Sequence, residues 1–211
     1  MGLAALLTVA LGAAAAIAGG LTSRLGALQL SGDPDAGRAV VHDEEQRRRI
    51  RRQLAFDYVF ILAYWLTFLG LAVVLARRGS VGYDIAALAA AFAATATALL
   101  DVLENIRTGA LLALSRPGDQ IRLQPVEHLQ RTALAKWFAS AVTIALLALV
   151  FLPGDGVLLL LGIAFLLVAG LGAAGIARRY LLVPYLVAFF ALGVTIAVWF
   201  TFFSSDLADR L

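Results

Sequence analysis

Six apolar stretches, each long enough to cross a bilayer, run through this chain of 211 residues and constrain its fold more than any other feature. They occupy about 3–22, 54–76, 84–106, 135–152, 157–177 and 181–203, within the roughly 17 to 25 residues that a hydrocarbon core about 30 Å thick requires. In lipid every backbone N–H and C=O must be satisfied within its own segment, so such stretches predict helices. The expected fold is therefore all-α: a polytopic transmembrane helical bundle of six spans, forming a single integral membrane domain over 1–211.

Composition agrees. Hydrophobic residues make up 62% of the chain and charged ones 15%, far from the balance of a soluble domain. The net charge of +3 does not point to nucleic acid, because the arginines lie beside apolar runs and not in a basic stripe interleaved with aromatics. Without cysteine, disulfides, thiolate metal sites and cysteine nucleophiles are excluded. The first span has small residues at Ala13–Ala16 but no basic segment before it, so a retained helix is expected in place of a cleaved signal.

The basic residues set an orientation. With the loop after the first span placed in the cytoplasm, fourteen of the seventeen Lys and Arg are cytoplasmic, and only Arg77, Arg78 and Arg210 are not. This asymmetry predicts that both termini lie on the non-cytoplasmic side. Residues 41–53 read as a cytoplasmic amphipathic helix. Asp43/Arg47, Glu44/Arg48 and Glu45/Arg49 are acid-to-base pairs at i,i+4, and Asp43 followed by Gln46 has the form of a helix cap. Arg47, Arg48, Arg49, Arg51 and Arg52 are expected to meet anionic headgroups of membrane lipids.

All five prolines, Pro34, Pro117, Pro125, Pro153 and Pro184, fall in loops or at span ends. No span is broken in its middle, which weakens a transporter reading built on discontinuous helices. Small residues at Gly12, Ala16 and Gly20, and at Gly170, Gly172 and Gly175, predict close helix packing.

The chemistry concentrates in Asp101-Val-Leu-Glu104-Asn105. At 100° per residue Thr97, Asp101, Glu104, Asn105 and Thr108 form one polar stripe on an Ala- and Leu-rich helix, so that face turns into the bundle. Two carboxylates three residues apart repel unless one is protonated or a cation lies between them. Counted from Asp84, Asp101 is about 26 Å and Glu104 about 30 Å along the axis, at the inner rim of the core.

Asp57, Lys136, Arg178 and Arg179 fall at the same cytoplasmic level. Lys136 is the single lysine and starts a stripe with Ser140 and Thr143. Its compact ammonium suits a place where a guanidinium does not fit. Tyr64, two turns from Asp57 on the same face, is expected to cover the site. The binding cluster is thus Asp57, Tyr64, Asp101, Glu104, Asn105, Lys136, Arg178 and Arg179. No cofactor is required; if Asp101 and Glu104 hold a metal, oxygen donors favour Mg²⁺ or Ca²⁺ over zinc. His42 and His128, among charged residues, read as solvated. No phosphate loop, HExxH or Gly-x-Ser-x-Gly motif occurs.

Phe56-Asp57-Tyr58-Val59-Phe60 with Tyr64, then Asp101-Val-Leu-Glu104-Asn105, then Thr132-Ala-Leu-Ala-Lys136-Trp137 resembles a loose group of uncharacterised multi-pass bacterial membrane proteins. The resemblance covers about 80 residues in three pieces and implies a bacterial cytoplasmic (inner) membrane location. It groups Asp57, Asp101, Glu104, Asn105 and Lys136 without supplying an activity.

Three functions fit the sequence. The favoured one is a membrane interaction or accessory protein whose ionic cluster fixes helix register, its partners being lipids and other membrane subunits or a second copy. The alternatives are an enzyme or binding protein for a lipid or isoprenoid headgroup, and a channel or transporter for small cations or protons.

Overall fold

The computed structural model describes residues 43–76, 81–114, 123–154, 156–178 and 181–202. Among them every regular element is helical: α1 (Glu44–Ala76), α2 (Val81–Leu114), α3 (Leu123–Phe151), α4 (Val157–Ala177) and α5 (Leu182–Phe202). The first expected span, the Arg77-Arg78 hairpin and the break at 115–119 lie outside the described residues. Helices α1 to α4 are long and apolar enough to cross a membrane.

α1 begins where its sequence provides a cap. The Asp43 carboxylate accepts from the backbone N–H of Glu45 at 2.9 Å and of Gln46 at 3.2 Å, satisfying two amides that lack helical partners. Glu44 and Glu45 in the first turn complement the positive end of the helix. Because Asp43 caps, it does not pair with Arg47 as the i,i+4 spacing suggested. Glu44 meets Arg48 at 3.9 Å and Glu45 pairs closely with Arg49.

The charged segment is not a separate helix. α1 runs unbroken from Glu44 through the second expected span, because nothing between 50 and 56 interrupts it; the reading by apolar windows stops at the first charges, where the helix does not. For the same reason α2 and α3 extend past the expected 84–106 and 135–152. Pro125 is tolerated in the first turn of α3, where its missing N–H costs no helical bond. Pro153 lies in the turn that ends α3, and Gly156 adopts φ of +55°, open to glycine at little cost, before α4 begins.

The chain divides into two compact units. Among described residues the first comprises 43–61, 99–114 and 123–136, here termed the charged unit; the second, the apolar unit, comprises 62–76, 81–98, 137–154, 156–178 and 181–202.

The charged unit has a core of Ile50, Leu111, Leu112, Val126 and Leu129, with Leu54 packed against it. Its exposed positions carry Arg48, Arg49, Arg51, Arg52 and Arg131. In the apolar unit the outward surface is as hydrophobic as the interior: Phe92 is 69% and Leu167 70% exposed, and Ile85, Leu88, Leu160 and Val187 are similar. So extensive an exposed apolar surface is suited to lipid, not water. Its interior is held by aromatic contacts. Tyr185 packs edge-on against Trp137, with ring centroids 5.5 Å apart, and shares a hydrogen bond of 2.7 Å with Ser140. Gly172 leaves room for the Tyr185 ring, and Gly162 lies against the backbone of Leu152. Gly170, by contrast, is exposed with open space beside it.

Candidate functional site

One side of α2 buries a run of polar residues while large apolar residues between them face outward. Thr97, Asp101, Glu104, Asn105 and Thr108 are all buried, whereas Leu99, Leu103 and Ile106 are exposed. The helical repeat alone makes this division, by placing 97, 101, 104, 105 and 108 on one side.

In the charged unit that side meets α3. The Lys136 ammonium lies 3.0 Å from Asp101 Oδ1 and 2.9 Å from Glu104 Oε2, so one cation bridges carboxylates a turn apart. The Glu104 side chain is only 3% exposed, Asp101 11% and Lys136 14%. Such short, charge-assisted contacts between desolvated groups gain far more than exposed pairs. They also offset a large desolvation cost, so losing one partner is expensive.

Asn105, beside Glu104, reaches the third helix. Its amide Nδ2 donates to Asp57 Oδ2 of α1 at 2.7 Å, and Asp57 is within electrostatic reach of Asp101, Glu104 and Lys136. Five residues named by the sequence reading are thus brought together in one unit. Three carboxylates face one ammonium.

Of the other three residues of the expected cluster, two are described. Tyr64 belongs to the apolar unit, where it packs edge-on against Phe68 at 6.1 Å. Arg178 is exposed at the C-cap of α4, its N–H bonded to the Ala174 carbonyl. Arg179 lies outside the described residues.

The stripe begun by Lys136 continues into the apolar unit, where Ser140 is bonded to Tyr185 and Thr143 lies 3.5 Å from Thr97. The His128 ring is exposed, and His42 lies outside the described residues. It is the backbone carbonyl of His128 that is used: it accepts from Arg107 Nη1 at 2.6 Å and from the Thr132 hydroxyl at 2.8 Å.

Sequence reading missed two arginines with structural duties. Arg107, counted only as a topology signal, crosses from α2 to the Thr132 hydroxyl of α3. Arg47 donates from Nη2 to the Leu112 carbonyl at 2.7 Å, in the last turn of α2, where carbonyls lack helical partners and carry partial negative charge. The overlooked signal is the run Gln46, Ile50, Gln53 and Asp57, whose spacing marks the inward face of α1 through the charged segment.

The Lys136 ammonium contacts both Asp101 and Glu104, the two acids expected to hold any metal. Among the described residues no three His, Cys, Asp or Glu are grouped to hold one. The apolar unit contains a different feature, a cleft lined by Tyr64, Phe68, Phe165, Phe189 and Phe190 among others. Comparison of the chain with protein-family models, curated proteins and solved structures finds no match.

Proposed function

We propose that this protein is an integral interaction or accessory component of the bacterial cytoplasmic membrane, with a buried ionic cluster at the cytoplasmic leaflet that fixes the register of its helices. One observation carries the reading: Lys136 of α3 bridges Asp101 and Glu104 of α2 while the adjacent Asn105 holds Asp57 of α1. Three helices are tied at one level by buried side chains that bond one another, as a register device requires. In this reading the resident cation is Lys136, and no Mg²⁺ or Ca²⁺ is needed.

The six-span topology, with both termini outside the cytoplasm, belongs to the same proposal. It puts the charged unit on the cytoplasmic side, with exposed Arg48, Arg49, Arg51 and Arg52 toward anionic headgroups. The partner is a further membrane subunit or a second copy, received on the exposed apolar helix faces.

The native absence of cysteine makes the topology directly testable. A single cysteine at Arg52 should react with an impermeant maleimide only from the cytoplasmic side, and reaction from the opposite side would overturn the orientation. Photo-crosslinking from Phe92 and Leu99 should yield one discrete protein adduct; adducts with lipid alone would count against the interaction reading.

A lipid- or isoprenoid-binding role is the second reading, favoured by the aromatic-lined cleft. It predicts a stoichiometric lipid retained on purification. A channel or transporter gains less support. From Ala98 back toward Asp84 the buried face of α2 is Thr97 followed by Ala94, Ala90 and Ala87, which offers an ion little beyond one hydroxyl.

A further inference from the structure

Helical threonines in an apolar setting usually return their hydroxyl to the carbonyl four residues earlier. Thr67, Thr95, Thr97, Thr132, Thr143 and Thr195 all do so here. Thr108 does not. It is 1% exposed, and its Oγ1 has no hydrogen-bond partner among the described residues. On α2 it projects between the directions of Asn105, which faces α1, and Glu104, which faces α3. Its Cα–Cβ bond tilts toward the helix N-terminus, back to the ionic cluster.

A second atom is in the same condition. Gln53 Oε1 on α1 is buried without a partner among the described residues. The Asp57–Asn105 and Arg47–Leu112 hydrogen bonds make α1 and α2 antiparallel. A turn back from Asp57 to Gln53 and a turn forward from Asn105 to Thr108 therefore reach one level. Desolvating two such groups is costly unless something fills the space between them.

The charge beside them is also unbalanced. The Lys136 ammonium is shared by Asp101 and Glu104, whereas the hydrogen bond to Asp57 comes from the neutral Asn105 amide. We propose that Gln53, Asp57, Asn105 and Thr108 form an oxygen-lined site in the charged unit for one alkali-metal cation. The donors are a carboxylate, two amide oxygens and a hydroxyl, all hard ligands. A single carboxylate matches one positive charge, while divalent sites of this kind draw on more. The site is separate from the Lys136 bridge, which ties α2 to α3 with or without it.

The test is thermal unfolding of the purified full-length protein in detergent, in N-methyl-D-glucamine chloride progressively replaced by NaCl or KCl at constant ionic strength. Wild type should show a saturable rise of a few degrees with one of the two salts, because an ion that binds only the folded state stabilises it by mass action. Thr108→Val should lose that rise yet melt no lower than wild type in N-methyl-D-glucamine, since it removes a buried hydroxyl that lacks a partner. Gln53→Leu should also lose the rise, and Thr108→Ser should keep it. Equilibrium binding of ²²Na⁺ or ⁸⁶Rb⁺ to wild type, at about one ion per chain, gives a readout that requires no variant to fold. Absence of a saturable salt effect and of bound ion would overturn the site, leaving water between the two groups. An equal salt response in wild type and Thr108→Val would overturn it as well.

Discussion

The Lys136 ammonium lies 2.9 Å from the Glu104 carboxylate, on a neighbouring helix and at a position 3% exposed. The same nitrogen is 3.0 Å from Asp101. A compact ammonium donates in three directions and can sit between two acids a turn apart, which a planar guanidinium cannot do without moving them.

Lys136→Arg should therefore fail as a conservative change. The expected result is a lower melting temperature in detergent, with destabilisation of about 1–3 kcal/mol as in other overpacked interiors. A melting temperature equal to wild type would show that charge alone is required there.

Asn105→Leu leaves the Asp57 carboxylate without its amide donor. Chemical unfolding should report a loss of about 1–3 kcal/mol. Val59→Leu, at an exposed apolar position on α1, should stay within about 0.5 kcal/mol of wild type.

Three glycines separate packing from propensity. A Cβ on Gly162 would lie 2.7 Å from the Leu152 backbone nitrogen, and one on Gly172 would lie 2.7 Å from the Tyr185 ring, while one on Gly170 meets nothing within 4 Å. Gly162→Ala should lower the melting temperature most, because backbone yields least. Gly170→Ala should leave it unchanged or raise it, through the helix preference of alanine, worth up to about 1 kcal/mol.

The arginines of α1 divide into two kinds. Arg47→Ala removes a charged donor from the end of α2 and should destabilise by about 1.5–3 kcal/mol, equally in nanodiscs of neutral or anionic lipid. Replacing exposed Arg48, Arg51 and Arg52 together should cost little in neutral lipid, where exposed pairs contribute about 0–1 kcal/mol. It should abolish any extra stability that anionic lipid confers. Melting curves in the two lipids distinguish these outcomes.

Much of the α2 face was legible because polar residues stand out in an Ala- and Leu-rich helix: Asp101, Glu104, Asn105 and Thr108 share one side by periodicity alone. Lys136 was identifiable through its rarity. Less visible was the continuation of the membrane helices into charged sequence, since an apolar window ends at Arg52 although α1 does not. Arg47 and Arg107 were hidden for another reason. Their acceptors are backbone carbonyls of other helices, at Leu112 and His128, and every residue carries a carbonyl, so sequence marks none as special.

The register role of the Lys136 bridge is tested most directly by a double-mutant cycle of Lys136→Met and Glu104→Gln, read as unfolding free energy in detergent. Lys136→Met alone should cost about 3–5 kcal/mol, since it strands two carboxylates. The double variant should recover part of that loss, with a coupling of about 0.5–3 kcal/mol. Strictly additive losses would contradict the bridge as the element that ties α2 to α3.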